Sequence, residues 1–343
     1  MAGRVTLRDV AREAGVHTST ASRALNPATR SVVNPETVEK VLAVARRLGY
    51  RPHPLARGLR TNQTMTIGMV IPDIENPIFG PLVAGAESVF GAGGYSVLIT
   101  NVDRGGNVKP LVATLLERRV DGLVLATALR EDEVVSELRA QDIPTVLVNR
   151  TTDEYLVPSI VVDDQAGIGL VVRHLVGLGH RRIGHVAGPR HLSTGWGRYQ
   201  GFFGWMQSLG LDVSPEQVEE AEWFQVEPGY RAAQRLLERL PDLTAIVAGN
   251  DLIGLGCYRA IREFGKEVGR DVSVTGYNDI ALLDLMQPPM TSVRVPFRRM
   301  GEEAAKLLLG LLSGERSDTE TISVRLQPIL SVRSSTAPPP DDA

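Results

Sequence analysis

Short apolar runs alternate with amphipathic stretches along most of the chain from residue 65 onward. The apolar runs are three to six residues long and rich in Val, Ile, Leu and Ala, which is typical of strands buried on both faces of a parallel sheet. They predict strands at 67–72, 97–100, 122–126, 145–148, 160–162, 183–187, 245–248 and 272–277.

The stretches between these runs have helical periodicity, with apolar residues recurring every three to four positions. They predict helices at 80–93, 107–119, 131–141, 165–178, 228–239, 252–265 and 297–313. Strands that alternate with helices predict a doubly wound α/β fold with parallel strands. The number of strand-helix units predicts two lobes, with a break near 161–163.

The first 50 residues have a different pattern, which predicts three short helices. Thr6 and Asp9 have the spacing of a capping box, and Gly15 follows the end of the first helix. The second helix is predicted over 18–25, and the third begins at Asn34. Two helices joined by a tight glycine turn are the layout of a helix-turn-helix, whose second helix enters the DNA major groove.

Charge separates the N-terminal segment from the rest of the chain. Residues 1–60 carry 11 Lys and Arg against 4 Asp and Glu, a net charge of +7. The whole chain carries −3, so the remainder carries −10. A basic segment joined to an acidic body is typical of a phosphate-binding domain attached to another domain, which favours DNA binding over a generic three-helix bundle.

The segment 51–64 is predicted to be a linker. Pro52 and Pro54 end the third helix, and residues 55–59 could form one or two helical turns. So short a helix is unstable alone, so the residues themselves leave open a flexible linker or a segment that becomes helical on DNA. The tail at 334–343 is polar and proline-rich and lacks leucine heptads, so we expect it to be disordered and unable to form a coiled coil.

Polar and aromatic side chains follow the ends of several predicted strands. In doubly wound folds, ligands bind at the carboxyl ends of the strands, and in a two-lobed body this edge lies in the cleft. Planar amides and guanidinium groups bind pairs of hydroxyls, and aromatic faces stack on sugar rings, so the set suits a polyhydroxylated ligand. The candidate effector-binding residues are Asn76, Phe79, Asn149, Arg150, Trp196, Arg198, Phe224, Asp251 and Asn278, with Trp196 and Arg198 placed in a loop before a helix.

No catalytic or metal site is predicted. The spacing of His174, His180, His185 and His191 matches no zinc motif, and phosphate-loop and nucleophile-elbow sequences are missing. The single cysteine, Cys257, fits a reducing compartment, and the chain has neither a signal-peptide pattern nor an apolar run of about 18 residues. We therefore expect a cytoplasmic protein without a cofactor. An enzyme of sugar chemistry and a transport binding protein are the disfavoured alternatives.

The run VTLRDVAREAGV, with TASRALN and VNPETVEKVLAVARRLGYRPHPLARGLRT, resembles the lactose-repressor (LacI/GalR) family of bacterial transcription regulators. The similarity continues through IGMVIPDIENPIFG, GHRRIGHVAGP, RYQGF, AGNDLIGLG and DVSVTGYNDI, and it covers residues 4 to about 333. It implies a body like the periplasmic sugar-binding proteins, with lobe one at about 65–161 plus 292–325 and lobe two at about 162–291 plus 326–333. It also implies a bacterial, nucleoid-associated repressor.

The resemblance implies which residues contact DNA. Thr18, Ser19 and Arg23 stand at the base-reading positions, and Leu59 stands where a leucine wedges into the central base step of the minor groove. Paired hinges then require a homodimer on a pseudo-palindromic operator. His17 stands where the family usually has a serine cap, so we expect weaker capping or a phosphate contact there. The remaining candidate DNA contacts are Thr6, Thr20, Ser22, Asn34 and Arg57.

The resemblance also implies allosteric control by a small molecule in the cleft. We expect a sugar that releases DNA. A purine or nucleoside co-repressor is one alternative, and an apo dimer assisted by a protein co-regulator is another. Asn149 and Asn278 stand where the family often has Asp, and Val295 where it often has Gln. Neutral amides still bind hydroxyls, but they weaken the case for a cationic ligand.

Overall fold

The structure is a computed structural model that describes residues 5–26, 29–50, 63–102, 106–315 and 322–340. The chain divides into two compact units, Met1–Met65 and Thr66–Ala343, which we call the head and the body. Each is described by itself.

Three helices form the described part of the head: α1 Leu7–Ala14, α2 Thr18–Leu25 and α3 Pro35–Arg47. Their small core consists of Val10, Ala11, Ala14, Ala21, Ala24, Val38, Val41, Val44 and Ala45. The capping box at Thr6 and Asp9 has both of its hydrogen bonds, and Gly15 adopts the left-handed conformation at φ 65°. These local signals place α1 and α2 within the bounds that the sequence predicts.

His17 caps α2, so the expected loss of capping is wrong. Its Nδ1 accepts a hydrogen bond from the backbone N–H of Ser19 at 3.3 Å and lies 2.8 Å from the Ser19 hydroxyl. An imidazole nitrogen therefore does what a serine oxygen does at other helix starts.

The body alternates strands and helices. The strands are β1 Thr66–Ile71, β2 Ser96–Asn101, β3 Gly122–Leu125, β4 Thr145–Val148, β5 Ser159–Val162, β6 Ile183–Ala187, β7 Val218–Glu220, β8 Ala245–Ala248, β9 Ser273–Asn278, β10 Thr291–Arg294, β11 Ser323–Leu326 and β12 Ile329–Ser331. The helices are α4 Phe79–Ala92, α5 Val108–Glu117, α6 Glu133–Ala140, α7 Asp164–Gly177, α8 Ser193–Ser208, α9 Val226–Arg239, α10 Asp251–Glu263 and α11 Phe297–Leu312.

Two six-stranded sheets confirm the predicted doubly wound fold. The first has the order β11-β5-β4-β3-β1-β2 with every pair parallel. The second has the order β12-β10-β9-β8-β6-β7, and only β12 is antiparallel. The described chain therefore crosses between lobes after β5, after β10 and after β11. Because β10 pairs with β9, the return to the first lobe begins after Arg294 rather than near 292.

Close helix contacts hold the first lobe together. A Cβ at Gly85 of α4 would lie 2.0 Å from the carbonyl oxygen of Arg298, and one at Gly301 of α11 would lie 2.0 Å from that of Leu82. Only glycine allows two backbones to approach this closely. The pairing of α4 with α11 therefore anchors the chain where it returns to this lobe.

Helix α8 begins earlier than expected, which corrects the placement of two candidates. Trp196 and Arg198 lie in its first turns and not in a preceding loop. The segment contains four glycines, which disfavour a helix by propensity. Gly195 is nevertheless required, because a Cβ there would lie 2.0 Å from the carbonyl oxygen of Pro189.

The tail is ordered over 334–340, so the expectation of disorder is wrong for these residues. Ser335 is fully buried, and its hydroxyl donates to the carbonyl oxygen of Val274 at 2.6 Å. The carbonyl oxygen of Ala337 accepts from Nε2 of His180 at 2.8 Å. These hydrogen bonds attach the tail to the second sheet. In the described parts of the chain, no helix is both long and apolar enough to cross a membrane.

Candidate functional site

Helix α2 presents the candidate base-reading residues on one face. Ser19 and Arg23 are exposed and Thr18 is half-buried, whereas Ala21 and Ala24 are buried against the other two helices. The exposed and buried side chains therefore lie on different faces of the helix, as the helical period requires. Thr20 and Ser22 are half-buried on the same helix, and their DNA contacts stay predictions.

Two candidate phosphate contacts are helix caps. The hydroxyl of Thr6 donates to Asp9 Oδ2 at 2.7 Å, and Oδ1 of Asn34 accepts from the backbone N–H of Glu36 at 2.9 Å. Both residues are exposed and lie at helix N-termini, which favour anions. Arg57 and Leu59 lie outside the described residues.

The body contains a cavity of about 600 Å³ at the carboxyl ends of the strands of both sheets. This is the position that the doubly wound fold predicts for a ligand. Seven of the nine candidate effector residues line it: Asn76, Phe79, Asn149, Arg150, Arg198, Phe224 and Asn278. The first four belong to the first lobe and the last three to the second.

Arg198 is fixed within the second lobe at the wall of the cavity. Its Nε donates to Asp164 Oδ1 at 2.8 Å, and its Nη1 donates to the carbonyl oxygen of Gly249 at 2.7 Å. The guanidinium carbon lies 3.8 Å from the centroid of the Tyr277 ring. Burial raises the pKa of the Asp164 carboxyl, and the charge of Arg198 opposes that rise. A guanidinium has five N–H donors, so some remain for a molecule in the cavity.

Two other polar groups at the cavity are buried without partners. Arg150 Nε and Asn278 Oδ1 have no hydrogen bond to any described residue. Burial lowers the pKa of Arg150 to about 10, and the nearby charge of Arg198 contributes. Because an unsatisfied buried polar group costs free energy, such groups are typical of sites that a ligand completes.

Two candidates do not line the cavity. Asp251 is fully buried, and its carboxylate accepts hydrogen bonds from Ser292 Oγ at 2.5 Å and from the backbone N–H of Ile280 at 2.9 Å. Burial raises its pKa to about 7. Trp196 packs instead against Arg130 of the first lobe. Asn250, which precedes Asp251 in the sequence, does line the cavity, and its side chain caps α10.

The cavity also has lining residues that sequence reasoning did not select. Trp223, Gln225 and His191 contribute from the second lobe, and the segment 127–134, the loop after β3 with the start of α6, contributes from the first. Gln225 Nε2 donates to Asp73 Oδ2 across the cleft at 3.0 Å. The rule of reading past each strand end would have found the loop after β3, had it been applied there as it was after β1 and β4.

Comparison with known proteins identifies the family. Residues 6–53 match the model of bacterial regulatory proteins of the lacI family, and residues 172–336 match the periplasmic binding protein-like domain. The transcriptional regulator MalR of Streptomyces coelicolor is 35% identical over 346 residues, which cover 98% of each chain. The chain belongs to the lacI family.

Solved structures of lacI-family regulators support the same assignment for the fold. A Lac repressor dimer bound to operator and the anti-inducer ONPF has a TM-score of 0.87 at 30% identity, covering 98% of this chain and 100% of that one. The regulator CelR in complex with cellobiose has a TM-score of 0.74 at 30% identity, covering 97% and 100%. The family membership confirms a DNA-binding regulator of transcription with a ligand-binding type of body.

Proposed function

We propose that this lacI-family regulator binds its operator as a homodimer and that a neutral sugar in the body cavity lowers its affinity for DNA. The observation that carries the proposal is the convergence of side chains from both lobes on one cavity. A ligand held by both lobes favours one lobe arrangement over another, which is what coupling to a distant DNA site requires.

The chemistry of the cavity supports a polyhydroxylated ligand. The amides of Asn76, Asn149 and Asn278 and the guanidinium groups of Arg150 and Arg198 belong to residues that line the cavity. Sugar hydroxyls can donate to the amide oxygens and accept from the amide and guanidinium N–H groups. Phe79, Phe224 and Trp223 supply apolar faces at the same cavity. Asn149 and Asn278 are neutral, so neither supplies a negative charge for a cationic ligand.

Relatives support the same class of ligand and the same assembly. CelR was solved with cellobiose, and Lac repressor was solved as a dimer on its operator. For this chain we propose Thr18, Ser19 and Arg23 as base contacts, and Thr6, Thr20, Ser22, Asn34 and Arg57 as further DNA contacts. Leu59 is proposed as the minor-groove wedge. A purine co-repressor is the second candidate, because the aromatic faces would also stack on a base.

Operator binding in the presence of a ligand panel tests the proposal. Fluorescence anisotropy at fixed salt would use a site selected from random DNA, with monosaccharides, disaccharides and purines added in turn. We expect a sugar to weaken binding, and we expect Arg150→Met to abolish that response while Arg139→Met, on the exposed surface of α6, retains it. A purine that strengthens binding would support the second candidate, and a panel without any effect would contradict both.

A further inference from the structure

Trp196 lies where the two lobes touch beside the cavity. It belongs to α8 of the second lobe, and its ring stacks on Tyr199 of the same helix with centroids 5.6 Å apart and planes at 16°. The guanidinium carbon of Arg130, from the first lobe, lies 4.5 Å from the centroid of the Trp196 ring. This is the geometry of a cation–π contact.

Arg130 is held rigidly by its own lobe. Its Nε and Nη2 donate to the two carboxylate oxygens of Asp153 at 3.0 and 2.7 Å, which is a bidentate pair. The backbone N–H of Asp153 donates in turn to the carbonyl oxygen of Arg130 at 2.8 Å. A guanidinium fixed in this way loses little further freedom when it meets an aromatic ring.

Three hydrogen bonds between the lobes surround this contact. The N–H of Arg130 donates to the carbonyl oxygen of His191 at 3.3 Å, and its Nη1 donates to that of Arg190 at 3.4 Å. The N–H of Thr151 donates to the hydroxyl of Ser193 at 3.0 Å. Each of these contacts joins one lobe to the other, so a rotation that separates the lobes would break them.

We propose that Arg130 and Trp196 form a latch that holds the two lobes closed against each other. Neither residue lines the cavity, whereas Leu129 and Glu131, on either side of Arg130, do line it. Arg130 and Trp196 therefore act as positioning residues. The latch bears on sugar binding only through the proposed function, in which both lobes hold the ligand. The latch itself does not rest on that function, since it is a property of the body without ligand.

A double-mutant cycle on the full-length protein without ligand or DNA tests the latch. The variants are Arg130→Gln, Trp196→Leu and the two combined, and the readout is hydrogen exchange of the Thr151 amide by mass spectrometry. That amide reports lobe opening, because its acceptor, Ser193, belongs to the other lobe. We expect exchange to be about fivefold faster than in the wild type in either single variant, and no faster in the double variant than in the single variants.

Arg173 provides a matched control within one lobe. Its guanidinium carbon lies 4.8 Å from the centroid of the Trp205 ring, and both residues belong to the second lobe. Arg173→Gln removes a similar contact within one lobe and should leave the exchange of Thr151 unchanged. Should a latch variant fold poorly, Asp153→Asn frees Arg130 without touching the ring, and it should also accelerate exchange. Unchanged exchange in both single variants, or effects that multiply in the double variant, would overturn the latch.

Discussion

The head and the body build their sites in opposite ways. The proposed DNA-reading face of the head comes from one helix, α2, and its members are at most five residues apart in sequence. The cavity of the body collects residues from Pro72 to Asn278, delivered by the ends of strands in two sheets. A site made by one helix is specified by helical period and capping, whereas a site made by many loops depends on long-range packing. We therefore expect a change in the cavity to lower the stability and the function of the body together. A change on the exposed face of α2 should alter DNA binding without lowering stability.

The largest expected effect is in the body, at Arg198. Arg198→Met leaves the carboxylate of Asp164, which is 13% exposed, without its partner, and we expect the body to lose about 4 kcal/mol of unfolding free energy. Urea unfolding followed by tryptophan fluorescence measures this, because Trp196, Trp205 and Trp223 all belong to the body. Adding Asp164→Asn should restore a large part of the loss. Equal stability of wild type and Arg198→Met would show that the ion pair does not hold the cavity wall.

Two buried groups in the body should respond to pH with opposite signs. Burial lowers the pKa of His185 to about 4 and raises that of Asp251 to about 7. Between pH 7 and 4 the histidine gains a proton mainly in the unfolded state, which lowers the stability of the body. Over the same range the aspartate gains a proton mainly in the folded state, which raises that stability. Each contribution is about 3 kcal/mol, so they largely cancel in the wild type.

Single variants separate the two contributions. His185→Gln should make the body more stable on acidification from pH 7 to 4, and Asp251→Asn should make it less stable. Urea midpoints measured across this range decide the matter. The same slope in both variants would show that neither group titrates as its burial requires.

A smaller effect is expected at Arg23 in the head, and it should fall on DNA binding alone. Arg23→Ala removes an exposed side chain that is suited to guanine O6 and N7, and it should weaken operator binding by about 2 kcal/mol with relaxed specificity at one base pair. Arg12→Ala removes the same charge from α1 and should weaken operator and random DNA about equally. An unchanged ratio of operator to random binding in Arg23→Ala would contradict its base-reading role.

The smallest effect is expected at the cap of α2. His17→Ala removes the acceptor for the N–H of Ser19 and should cost the head about 1 kcal/mol of stability, whereas His17→Ser should retain it. Circular dichroism of the head transition during thermal unfolding measures both variants. Should His17→Ala melt with the wild type, the imidazole would not be a stabilising cap.

Local signals made the head predictable. The bounds of α2, the capping box at Thr6 and the left-handed Gly15 follow from residues that are neighbours in sequence. His17 was misjudged because a histidine nitrogen is a rare cap and the choice of acceptor depends on side-chain rotamer. The roles of the predicted DNA contacts stay predictions, and those of Arg57 and Leu59 lie in a segment outside the described residues.

Long-range contacts limited prediction in the body. Asp251 follows a strand, as a ligand contact would, but its carboxylate turns to Ser292, which lies 41 residues away in sequence. Trp196 was misplaced because the glycines of α8, required by close backbone approach, hide the helix. Ser335 is buried although its surroundings have the composition of a disordered tail. In each case, a partner distant in sequence decides the outcome.

We propose that the cavity and the head are coupled sites of one regulator. Linkage requires that a sugar which weakens operator binding also binds the operator complex more weakly than the free protein, by the same factor. Isothermal titration of the panel sugar that acts on operator binding, into protein with and without saturating operator DNA, measures this directly. We predict a matching decrease in sugar affinity on DNA, typically about tenfold. Equal sugar affinity in the two titrations would contradict the account.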